Sequence, residues 1–119
     1  MEKEPNDIQK RIYNWVIELI NFADKLPHDQ SFRIIVNQLL RSGTSVGANY
    51  IESQAGSSRR DFTNFLLISL KSANESRYWL KLLRDAKKIN SDELSNIINE
   101  IEEISKMLGA SIVTLRNKR

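Results

Sequence analysis

Residues 41–49 read Arg-Ser-Gly-Thr-Ser-Val-Gly-Ala-Asn, and whether they interrupt a helix decides the fold. Taken alone they are poor helix formers. Each glycine costs about 1 kcal/mol relative to alanine in a helix interior, and Ser42, Thr44 and Ser45 can divert hydrogen bonds to the local backbone. Propensity alone therefore breaks the chain here. Periodicity argues the other way. Gly43 and Gly47 are four apart and stack on one helix face, and apolar residues continue on both sides, from Phe32, Ile35 and Leu39 to Val46 and Tyr50. Small residues one turn apart let another helix approach closely, and the row Ser69, Ala73 and Ser76 further along the chain leaves room for such an approach. The second helix is therefore expected to run from a cap at Ser31 through residue 55, bent at most near Gly43. A phosphate cradle is the weaker reading, because neither GxGxxG nor GxxxxGK[ST] is present and no strand precedes the segment.

Working outward, three more helices follow from the same 3.6-residue period. The first starts after Pro5 with Asn6 as cap, shows Ile8, Ile12, Trp15, Leu19, Phe22 and Leu26, and ends before Pro27, which lacks the N–H and excludes helical geometry from its predecessor. The third is capped by Ser58, with Asp61 three residues on. It shows Phe62, Leu66, Ser69, Ala73, Ser76, Leu80 and Leu83 at heptad spacing, with Phe65, Ile68, Trp79, Leu82 and Ile89 beside them. The fourth follows Asn90-Ser91, places Asp92 and Glu93 against its positive end, and shows Leu94, Ile97, Ile101, Ile104, Leu108, Ile112 and Leu115. Connections of a few residues favour an all-α, antiparallel up-down-up-down four-helix bundle, one domain spanning residues 1–119. The extra apolar row on the third helix, with Tyr78 and Trp79 flanked by Arg77 and Lys81, fits either a contact with another subunit or a Trp79 that closes the monomer core.

Composition narrows the chemistry. There is no cysteine, which excludes a disulfide scaffold and a thiolate metal site. No apolar run approaches the roughly 18–20 residues of a membrane span, and the polar start MEKEPNDIQK is unlike a signal peptide, so a cytoplasmic protein is expected. His28 is the single histidine and lies in a turn, where a surface role is the ordinary one; no Glu-x-x-His motif accompanies it. The serines have no evident base to activate them. Glu100, Glu102 and Glu103 read as a solvated face. The chain is expected not to be an enzyme and to hold neither cofactor nor metal.

The net charge of +3 is uneven, because residues 57–89 alone carry +5. Arg59, Arg60, Lys71, Arg77, Lys81, Arg84, Lys87 and Lys88 supply it, and such a stripe attracts polyanions or simply keeps a helix face wet. Arg41, Asn49, Glu52 and Glu75 form a polar network if they face inward; otherwise the two acids are surface residues.

The stretch QLLRSGTSVGANYIESQAG at 38–56 and RRDFTNFLLISLKSANESRYWLKLL at 59–83 resemble the four-helix-bundle proteins encoded within intervening sequences of bacterial 23S ribosomal RNA genes. The accessory variability proteins of diversity-generating retroelements are similar in kind. Thr44 to Glu52 is the most specific part, supported by Asp61-Phe62 and by Glu75 to Trp79. The resemblance implies a ring-like homopentamer without catalysis, working around RNA or RNA–protein complexes. It marks Arg41, Gly43, Gly47, Asn49, Glu52, Glu75 and Trp79 as motif residues. Two functions follow as expectations: a nucleic-acid-binding oligomer that uses the basic stripe, or a scaffold that binds protein alone.

Overall fold

A computed structural model of the chain describes residues 7–117. Four helices form, α1 (Asp7–Asp24), α2 (Gln30–Gln54), α3 (Arg59–Ala86) and α4 (Asp92–Asn117). Among the described residues there is no strand. α1 packs on α2 and α4, and α3 packs on α2 and α4, so α1 and α3 sit diagonally in an up-down-up-down bundle. The rod is 49 Å long. No described helix is long and apolar enough to cross a membrane.

The helix ends follow from local chemistry. Asn6 lies outside the described residues. α1 closes at Asp24 with the tighter bonds Lys25 N to Phe22 O and Leu26 N to Ala23 O, both 3.1 Å, as Pro27 requires of the residues before it. The cap of α2 is Asp29, not Ser31: its carboxylate accepts from Phe32 N at 3.3 Å. Asp29 reaches the orphan N–H three residues on, so the helix begins at Gln30, two residues before a Ser31 cap would have started it. Ser31 instead accepts from Lys87 Nζ. Ser58 caps α3 by accepting from Asp61 N at 3.1 Å, and Ser91 Oγ accepts from Leu94 N at 3.2 Å at the start of α4.

α2 is unbroken from Gln30 to Gln54. Thr44 and Ser45 do divert their hydroxyls, to Leu40 O and Arg41 O, but within the helix. The glycines face α1 rather than the Ser69–Ala73–Ser76 row. A Cβ on Gly43 would meet Leu19 Cδ2 at 2.3 Å, and one on Gly47 would meet Ile12 Cγ2 at 3.4 Å. The serine row packs on a different side of α2, where Ser69 Oγ donates to Val46 O at 2.8 Å and Ser76 Oγ lies 2.9 Å from Ser42 Oγ. Trp15 anchors the opposite wall: fully buried, it donates its indole N–H to Ile97 O at 3.0 Å.

Candidate nucleic-acid interface

The eight cations of the basic segment do not form one patch. They span α3 from end to end, a distance of about 40 Å at 1.5 Å per residue. In the middle, Arg77 and Lys81 both reach across the seam to Glu102 of α4, at 3.7 and 3.5 Å. Arg84 holds Asp85 at 2.8 Å; this charged hydrogen bond raises the arginine and lowers the aspartate from their ordinary pKa values. Lys87 lies 4.6 Å over the Phe32 ring and donates to Ser31. Lys71 is exposed, and so is Lys88. Lys88, just past α3, adopts the left-handed conformation, φ 55°, a position usually filled by glycine because a side chain there is strained. Arg77, Lys81, Arg84 and Lys87 are thus already engaged by the fold.

At the start of α3 two cations lie side by side. Arg59 and Arg60 line a broad depression of about 510 Å³, open to solvent, together with Thr63, Asn64, Leu115 and Arg116. Three arginines from two helices therefore line one depression at one end of the rod, with no acid among the described residues of its lining. Arginine suits such a place, since its planar fork gives several donors to one phosphate. Arg116 was missed in the sequence because it belongs to a segment of net negative charge. Antiparallel order held the signal: the end of α4 must return beside the start of α3.

The motif residues separate into two groups. Glu75 is half-buried and accepts from both Arg41 and, at 2.9 Å, Trp79 Nε1, while Gln38 Oε1 accepts from Arg41 at 3.0 Å. Trp79 also packs on the core, so it closes the monomer, with Tyr78 edge-on to it at 4.9 Å. Asn49 and Glu52 are not in this network. Asn49 donates to Ser45 O within α2 at 2.9 Å, and Glu52 is exposed. The expected four-residue network thus shrinks to Arg41 and Glu75, joined by Gln38 and Trp79. His28 is exposed in the α1–α2 turn.

A family model described as 23S rRNA-intervening sequence protein matches residues 4–110. The chain belongs to that family. The crystal structure of a protein with unknown function from the S23 ribosomal protein family of Bacteroides thetaiotaomicron is similar, at 37% identity and TM-score 0.81, over 88% of this chain and 97% of that one. No curated protein matches the sequence. For a member of the intervening-sequence family, the glycine face, the serine row and the Glu75–Trp79 pair are therefore explained first by bundle packing.

Proposed function

We propose that this family member is a non-catalytic, cytoplasmic homo-oligomer, a pentameric ring, that binds RNA or an RNA–protein complex through the arginine end of each bundle. The observation that carries the reading is that Arg59, Arg60 and Arg116 line one open depression whose described lining holds no acid. Phosphate is the matching ligand for clustered guanidiniums facing solvent. Each copy offers few contacts, and a ring that repeats them gains affinity by avidity without new chemistry.

The test is RNA affinity as a function of salt, on structured and single-stranded RNA. Arg59→Ala with Arg60→Ala is expected to keep the fold, weaken binding at low salt, and flatten the log–log salt slope by about 0.7–0.9 for each phosphate no longer neutralised. Arg116→Ala should act in the same direction, whereas Arg84→Ala, whose partner is Asp85, should leave binding unchanged. Equal binding by wild type and the paired variant would remove this end from consideration. The second reading, a protein-only scaffold, is favoured by the four cations of the basic segment already held in ion pairs or over Phe32. Absence of binding by every form at low salt would select it.

A further inference from the structure

α3 presents a stripe of polar and aromatic side chains to solvent. Arg60, Asn64, Leu67, Lys71, Asn74 and Tyr78 follow one another at steps of four and three residues, so they share one side of the helix. It is the side turned away from the buried row Leu66, Ser69, Ala73, Ser76 and Leu80. All but the half-buried Leu67 are exposed. From Arg60 to Tyr78 the helix makes five turns and rises about 27 Å. The stripe contains no acid. Among the described residues, no side-chain hydrogen bond or ion pair engages Arg60, Lys71, Asn64 or Asn74. The acids beside its Tyr78 end are already held: Glu75 accepts from Arg41 and Trp79, and Glu102 pairs with Arg77 and Lys81. Tyr78 is 58% exposed, yet its ring is braced. Trp79 stands edge-on to it at 4.9 Å, and is itself fixed by packing on the core and by its bond to Glu75.

We infer that this stripe is a track for single-stranded RNA, whose phosphates run from Arg60 and Arg116 to Lys71 and one of whose unpaired bases stacks on Tyr78. The inference rests on the RNA-binding reading above and names the form of RNA that the site takes and the path it follows. Cations alone attract any nucleic acid, because phosphate contacts carry no sequence or strand information. An exposed aromatic adds something that only an unpaired base can use. In a duplex the base faces are covered by one another, whereas in a single strand they are free to stack on a side chain. Asn64 and Asn74 each offer a donor and an acceptor, which suit base edges and the 2′-hydroxyl. Recognition of a duplex rests instead on its shape across two successive minor grooves, and a stripe one side chain wide on one helix lacks that breadth. The bracing of Tyr78 helps in the same direction, since a ring that is already ordered loses little freedom when a base settles on it.

Fluorescence anisotropy with a labelled oligoadenylate, and with an RNA duplex of the same length, tests this. Wild type should prefer the single strand. Tyr78→Ala should weaken oligoadenylate binding roughly 5- to 150-fold, the effect of losing one stacked base, and should keep the salt slope. Tyr78→Phe retains the ring and should bind as wild type does. Lys71→Ala should flatten the slope by about 0.7, the value of one single-strand phosphate. Both positions are exposed, so each variant should match wild type in circular dichroism and in mass by light scattering. Tyr78→Ala binding as tightly as wild type, or the duplex binding as tightly as the single strand, would overturn the track and leave the arginine-end reading standing. A changed mass in Tyr78→Ala would do the same, by making the stripe a contact between copies. Failure of wild type to bind either RNA at low salt overturns both.

Discussion

α2 meets its two neighbours by different means. Toward α1 it offers Gly43 and Gly47, which bring the backbones close by having no side chain at all. Toward α3 it offers Ser42 and the carbonyl of Val46, matched by Ser76 and Ser69. All three serines are buried, so their hydroxyls must find partners or cost stability. Each has one proton. Ser76 Oγ donates to Ser72 O at 2.8 Å, which leaves it to accept from Ser42 at 2.9 Å. Glycine contacts are satisfied by shape and tolerate sliding, whereas hydroxyl bonds are directional and hold one register. The difference teaches that two stretches of small residues, alike in composition, serve separate purposes: one seam is fitted, the other pinned.

The largest expected effect breaks or sustains that division on the fitted side. Gly43→Ala puts a methyl 2.3 Å from Leu19 Cδ2, with the Trp15 ring at 3.4 Å, and Leu19 is fully buried. Overpacking of about 1–3 kcal/mol outweighs the gain of about 1 kcal/mol in helix propensity, so the melting temperature should fall. Gly47→Ala meets only ordinary contact at 3.4 Å and should gain most of that propensity difference. Shifts of the same sign in both variants would show that the two glycines are not doing different things.

On the pinned side the effect is smaller. Ser69→Ala removes a buried bond to Val46 O and should cost about 1 kcal/mol in urea unfolding. Ser76→Ala should cost less, because Ser42 can turn its proton to Leu39 O at 3.2 Å. If Ser76→Ala were the costlier of the two, the hydroxyl pair rather than the single bond to Val46 would be what pins the seam.

Much of this was legible in the sequence, for identifiable reasons. The helices came from apolar spacing, which is local. α2 stayed whole through Gly43 and Gly47 because the apolar row resumes in phase beyond them. What was not legible depended on a third helix. Nothing local says that the glycines face α1 while Ser69 and Ser76 face the other side of α2, since both rows offer small residues at matching spacing. The Ser31 cap failed because Asp29 and Ser31 are both good caps, and only the start of the N–H array chooses between them. In the basic segment, Glu102 neutralises Arg77 and Lys81 from another helix, and Arg116 joins Arg59 and Arg60 only through the antiparallel return.

The smallest effect lies where the pinned seam meets solvent. Arg41, Glu75 and Trp79 cap the α2/α3 contact from outside, with side chains 58% and 36% exposed for the ion pair. Pairs that wet contribute only about 0–1 kcal/mol, because water screens the attraction and both side chains lose freedom in making it. A double-mutant cycle of Arg41→Gln and Glu75→Gln should therefore return a coupling within that range, shrinking as salt is raised. Glu75→Gln still leaves an amide oxygen to accept from the indole of Trp79, now bonded at 2.9 Å, so fluorescence of that tryptophan should change little. Glu75→Ala strands the half-buried N–H and should shift the emission more than it shifts stability. A coupling well above about 1 kcal/mol would mean that the exposed ion pair, and not the buried serines, sets the register of α2 against α3.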